Sequence, residues 1–124
     1  MRKLASRSTA NGLTGKRAVT QAVLTIDDLP QSGILASTAF VRDHLAAARR
    51  WLERADKQAL AIVLPVAGPD HDDWRRTLAR DLARAYAPIR VNVVGASGVE
   101  QAAPLLAYLR DAPGVTGQYL AAHE

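Results

Sequence analysis

The 124-residue sequence contains no cysteine, which excludes disulfides, thiol nucleophiles and every thiolate-based zinc or iron–sulfur site. Nothing redox-active therefore resides in its side chains. No apolar run approaches the roughly 18 residues needed to span a bilayer. The opening MRKLASRSTANG also lacks the apolar stretch of a secretion signal, so the expectation is a cytoplasmic protein with no membrane partner. Acidic residues are missing from the first 17 positions, which carry Arg2, Lys3, Arg7, Lys16 and Arg17. The other residues hold 11 basic and 12 acidic groups, so the pI near 10.0 belongs to this segment. Polar, basic and poor in large apolar side chains, residues 1–17 cannot offset the entropy of ordering and are expected to form a flexible basic tail.

Hydrophobic residues make up 48% of the chain, enough for one domain over residues 18–124 that buries roughly two-thirds of its unfolded surface. AVTQAVLTI (18–26) is rich in β-branched and apolar residues and ends at the turn-forming DDLPQSG, which predicts a first strand and a loop. From about Thr38 to Lys57, Phe40, Val41, Leu45, Ala48, Leu52 and Ala55 recur at helical spacing, with Ser37 or Thr38 as the cap. ALAIVLPV (59–66) is a continuous apolar run that fits a strand covered on both faces.

A second helix is expected from Gly68 or Pro69 to Pro88. Asp70, Asp72 and Asp73 stand at its positive end, and Trp74, Leu78, Leu82, Ala85 and Tyr86 form its buried stripe. Ile89–Val94 is the third strand. Ser97-Gly-Val-Glu100 has capping-box spacing ahead of Leu105, Leu106 and Leu109, with the regular helix starting nearer Ala103 because of Pro104. VTGQYLAA (115–122) closes as the fourth strand. Strands alternating with helices argue for right-handed crossovers and a parallel sheet in the order 1-2-3-4. Ligands of such sheets sit at the C-terminal strand ends, which here collect Asp27, Asp28, Gly68, Asp70, Gly95, Ser97 and His123.

LARDLARAYAPIRVNVV resembles the last large helix and sixth strand of short-chain dehydrogenases/reductases. EQAAPLLAYLRDAPGVTGQYL is similar to that family's following helix and final strand, with Thr116-Gly117 in the usual place. TAFVRDHLAAARRWLERADKQALAIVLPVAG resembles the preceding helix and strand more loosely, and the likeness covers about two-thirds of the chain. The resemblance implies a small three-layer Rossmann-like α/β domain with a four-stranded parallel sheet and about three helices. It also implies a pair of helices, those containing Trp51 and Trp74, through which family members dimerise.

The family's NAD(P) site and catalytic groups do not carry over. LTGKRAV (13–19) is similar to the start of the first family strand, but TQAVLTIDD follows without the phosphate-cradling glycines. The positions of the catalytic Tyr-x-x-x-Lys fall on Leu64 and Gly68, PVAG stands where a catalytic serine is expected, and the Pro-Gly beside the nicotinamide corresponds to Ala96-Ser97. The expectation is a truncated, Rossmann-like half with no catalytic residue and no cofactor, its first strand left as a sheet edge open to pairing.

Other clusters favour structural roles. Asp70, His71, Asp72 and Asp73 are adjacent and do not converge on one point, so helix capping is expected rather than a metal site. Asp27-Asp28 resembles the acid pair of a phosphoryl-accepting receiver, but later strand ends supply no third Asp or Lys. His44 reads as a surface or interface histidine. The arginine flanks at Arg42, Arg49, Arg50 and Arg54 and at Arg76, Arg80 and Arg84 are interrupted by Glu53, Asp56 and Asp81, which suits ion-paired solvated faces rather than nucleic acid. The favoured reading is a non-catalytic short-chain-dehydrogenase-like domain acting through protein–protein contacts as a homodimer, with Trp51 as anchor. The alternative is a small-molecule or nucleotide-binding protein, or a minor oxidoreductase-like enzyme, using Asp27, Asp28, Gly95, Ser97 and Gly98.

Overall fold

The computed structural model describes residues 20–54 and 58–122; the basic segment 1–17 and His123 lie outside them. In chain order the elements are β1 (Gln21–Thr25), α1 (Gly33–Asp43), α2 (Leu45–Leu52), β2 (Ala59–Leu64), a 3-10 turn (Pro69–His71), α3 (Asp72–Ala85), β3 (Arg90–Gly95), α4 (Val99–Arg110) and β4 (Tyr119–Ala121). All neighbouring strands pair parallel in the order β1-β2-β3-β4, with Leu60 beside Ala22 and Val91 and Val93 beside Tyr119. The expected α/β architecture is present. Among the described residues no helix is long and apolar enough to cross a membrane.

Strand alternation divides the core into two layers. Leu60, Ile62 and Leu64 of β2 with Val91 and Val93 of β3 face α1, α2 and α3, where Phe40, Ala48, Leu52, Ala79 and Leu82 cover them. Val63 and Val94 face the other way, onto Ala102 and Leu109 of α4. Since every strand steps the same way across the sheet, this change of face gives the β3–α4–β4 crossover the opposite hand to the ones before it, so the expected right-handed crossovers do not hold throughout. Every residue of β2 is buried, as the unbroken ALAIVL run requires of a central strand in a three-layer fold.

Several boundaries differ from the sequence expectation, each for a local reason. The single helix expected over 38–57 is two helices. The Ser32 side chain accepts from the Leu35 amide and starts α1 earlier than Ser37 or Thr38 would, and the backbone breaks at His44. There the His44 amide still donates to the Phe40 carbonyl at 2.8 Å while its ring lies 5.9 Å from that of Phe40. His44 is thus a half-buried hinge between helices and not a surface residue inside one. The buried stripe of α3 is rotated from the expected one: Arg75, Ala79 and Leu82 are its buried residues, while Trp74 and Leu78 are half-buried at its margin.

Helix α4 runs through Pro104 instead of starting near it. Pro104 sits on the exposed side, where the Glu100 carbonyl that loses its donor can turn to water. The expected capping box at Ser97 does not form. Gly98 is the N-cap, and the Ser97 amide donates to the Gln101 side chain. At the far end of α4, Arg90 of β3 donates from Nη1 to the Leu109 and Ala112 carbonyls at 2.8 and 2.9 Å, covering groups that the helix leaves unpaired.

The last strand is three residues long, and the segment before it is held to β3 by side chains as well as by backbone bonds, the Gly117 amide donating to the Val91 carbonyl at 2.7 Å and the Val93 amide to the Gln118 carbonyl at 2.8 Å. The buried Asn92 donates from Nδ2 to the Val115 carbonyl and accepts from the Gln118 amide, both at 3.0 Å. Thr116 accepts from the Val91 amide at 3.0 Å. Asn92→Ala leaves two backbone groups without partners and is expected to lower the unfolding free energy by about 2 kcal/mol in urea denaturation, with faster hydrogen exchange at the Gln118 amide. An unchanged midpoint and unchanged Gln118 protection would show that the loop is held by other contacts.

Candidate functional site

Parallel β1, β2 and β3 deliver the segments that follow them, from residue 26, residue 65 and residue 96, to one end of the sheet. Two adjoining hollows open there and share Pro65 and Val66. The smaller, of about 280 Å³, is lined by Ile26, Asp27, Val63, Ala96, Ser97 and Gly98. The larger, of about 820 Å³, is lined by Leu29, Gln31, Ser32, Gly68, His71 and Arg75. The strand ends thus bring together three of the five residues expected at a binding site, Asp27, Ser97 and Gly98. Asp28 is exposed and lines neither hollow, and Gly95 is buried behind them.

The wall of the larger hollow is built by a close approach of α1 to the 3-10 turn. A Cβ on Gly33 would lie 2.5 Å from the Asp70 carbonyl oxygen, so only glycine lets the chain enter α1 at this point. His71, also buried, locks the two segments from below. Its Nε2 lies 2.7 Å from the Gln31 carbonyl, and its Nδ1 lies 3.2 Å from Trp74 Nε1. The indole can only donate, so Nδ1 accepts, Nε2 donates, and both nitrogens are engaged. That wiring makes His71 a structural post and leaves it no free lone pair for a metal or a substrate proton. Asp70, Asp72 and Asp73 are partly or fully exposed around the helix start, and no cluster of metal-ligating side chains occurs among the described residues.

Arg75 occupies the floor. It is 1% exposed, its guanidinium lies 5.4 Å from the Trp74 ring and 5.6 Å from the Tyr119 ring, and Nη1 donates to the Tyr119 hydroxyl at 3.2 Å. Its Nε has no hydrogen-bond partner, and none of the ion pairs among the described residues involves it. An unpaired buried ion costs several kcal/mol, of which the aromatic rings return about 0.5–2 kcal/mol each. Gly95 makes this arrangement possible: a Cβ there would lie 2.6 Å from the Tyr119 hydroxyl and 3.2 Å from Arg75 Nη1. Gly95 therefore serves the site by leaving room for Arg75 and Tyr119, not by cradling a ligand itself.

Sequence reasoning passed over Arg75, Gly33 and the structural wiring of His71. A signal for Arg75 was present, since it precedes Leu78, Ala79 and Leu82 by three, four and seven positions and so shares their helix face. The two tryptophans do not share a surface. Trp74 lines an apolar groove of about 570 Å³ between α1 and α3 with Val41, Leu45, Leu78 and Leu82, whereas Trp51 lies on α2 beneath the Arg54 guanidinium at 5.0 Å.

A family model described as short chain dehydrogenase-like protein matches residues 24–122, a span that runs from the end of β1 through β4 and takes in both hollows. No curated protein and no solved structure matches the chain.

Gly95→Ala is expected to cost about 1–3 kcal/mol through overpacking. The same substitution in a Tyr119→Phe background is expected to cost less, because the nearest obstructing atom is gone. A double-mutant cycle from urea denaturation measures the difference, and strictly additive losses would show that the hydroxyl is not what the missing Cβ accommodates.

Proposed function

The chain belongs to the short chain dehydrogenase-like family, and from that premise we propose that it is a small-molecule-binding domain whose site is the carboxyl end of its sheet. The observation that carries this reading is the pair of adjoining hollows walled by the segments after β1, β2 and β3, at the place where open parallel sheets hold their ligands. The larger has the volume of an ordinary small-molecule pocket, about 300–1,000 Å³. A reductase-like proton relay is not part of the reading. Leu64 and Gly68 stand at the positions that the resemblance assigns to the catalytic Tyr and Lys, and both nitrogens of His71 are already bonded.

Titration of the full chain with NAD+, NADP+ and a fragment set spanning anionic, neutral and cationic molecules, followed by backbone amide NMR, tests this. Localised shifts at Gln31, Ser32, Gly68 and His71 with fragments, and none of stoichiometric size with the dinucleotides, are expected. Silence at those amides with every fragment overturns the binding reading, and tight uptake of a dinucleotide overturns the non-catalytic one.

A second reading, contact with another copy of the chain, is favoured by the groove between α1 and α3. It opens beside Ile34, Leu35 and Val41, which α1 leaves exposed, Ile34 at 80%. Two-fold packing of this helix pair against itself would cover both sets of apolar side chains without any other partner. Trp74 rather than Trp51 lies at this surface. Light scattering on concentrated protein is expected to give the mass of a dimer, reduced to a monomer by Val41→Asp; a monomeric native protein overturns the dimer.

A further inference from the structure

We propose that the larger hollow takes a small organic monocarboxylate, bound by the guanidinium of Arg75. The inference rests on reading the carboxyl end of the sheet as the ligand site and adds the chemical class.

The charge distribution of the protein runs against simple stability. Four exposed arginines have carboxylates beside them: Arg42 with Asp43 at 2.7 Å, Arg110 with Asp111 at 3.0 Å, Arg49 with Glu53 and Arg76 with Asp73 at 3.5 Å. These are the pairs that contribute least, because water screens them. Arg75, where a partner would count most, has none among the described residues. It cannot shed its proton to relieve the burial, since a guanidinium stays charged in proteins. Among the described residues its one hydrogen bond is from Nη1 to the Tyr119 hydroxyl, and the buried Nε is without an acceptor. A fixed, half-satisfied guanidinium lying just beneath the floor of an open hollow, 1% exposed, attracts an anion that reaches it on a small movement of the wall and then supplies acceptor oxygens in its plane.

The remaining walls select among anions. Arg75 is the one cation among the described residues lining the hollow, and Leu29, Pro65, Val66 and Ala67 give it an apolar side. Asp27 lines the adjoining hollow. A phosphate dianion or a polyphosphate would meet too few positive groups here and a carboxylate nearby. A single carboxylate on a short apolar body matches one guanidinium with apolar walls. The rings of Trp74 and Tyr119 hold the guanidinium plane in place beforehand, so little side-chain freedom is lost on binding.

The test uses the full chain, with benzoate and butyrate as probes, benzamide and butyramide as their uncharged counterparts, and inorganic phosphate, read by backbone amide and arginine Nε–H NMR. The carboxylates are expected to shift the Arg75 Nε–H and the Gly68 and His71 amides at concentrations at least tenfold below those needed for the amides or for phosphate. Arg75→Met is expected to weaken carboxylate binding at least tenfold, and Arg75→Lys less. Should the variants not fold, the acid-against-amide comparison on the native protein decides alone. Equal response to acid and amide overturns the anion assignment while leaving a ligand site in the hollow, and preference for phosphate overturns the carboxylate class. No response at these amides to any probe overturns both the assignment and the site.

Discussion

Burial of β2 and β3 on both faces is the constraint from which the rest of the molecule follows. β2, apolar at every position, cannot lie against water on either side, so the chain must place helices on both. The crossovers that do so force the strands to run parallel. The two faces are unequal. Three helices cover one, with Phe40, Leu52 and Leu82 reaching into a large apolar cluster, while α4 alone covers the other through Ala102 and Leu109. Because the strands are all parallel, the loops after β1, β2 and β3 gather at one end, and the hollows there are a by-product of topology before they are a candidate site.

What distinguishes that end is a charge brought indoors. Gly95 removes one side chain from the end of β3, and the space admits the Tyr119 hydroxyl and the Arg75 guanidinium together. Gly33 does the same for backbone, letting α1 start against the Asp70 carbonyl. His71 then fastens the Gln31 loop to Trp74 with both of its nitrogens. Two glycines and one histidine thus fix the geometry around an arginine that has no carboxylate partner among the described residues. Rigid walls around an unsatisfied guanidinium are the property that a binding site needs and a stability-driven core avoids.

Membership of the short chain dehydrogenase-like family accounts for the architecture and leaves the chemistry to the individual side chains. In the strand, turn and helix start at IRVNVVGASG, Gly95 serves packing and Gly98 starts α4 at φ 92°. The helix that begins at Asp72 presents Arg75 to the pocket. Fold and reaction are separable in this way because packing fixes the apolar positions, whereas the reaction depends on a handful of polar ones.

The sequence by itself determined the class of fold and the parallel sheet in its order. Those follow from hydrophobic periodicity and from the length of the segments between strands, which are local quantities. It also placed Asp27, Ser97 and Gly98 correctly at strand ends. The break at His44, the continuation of α4 through Pro104 and the bonding of His71 across 40 residues to Gln31 were decided only by tertiary structure, because each depends on which surface lies opposite. The role of Arg75 belongs to both. Its position on the buried face of α3 is written in its spacing from Ala79 and Leu82, but that its charge would meet two aromatic rings and an open hollow instead of a carboxylate required Gly95, Tyr119 and the loop after β1 to come together in space.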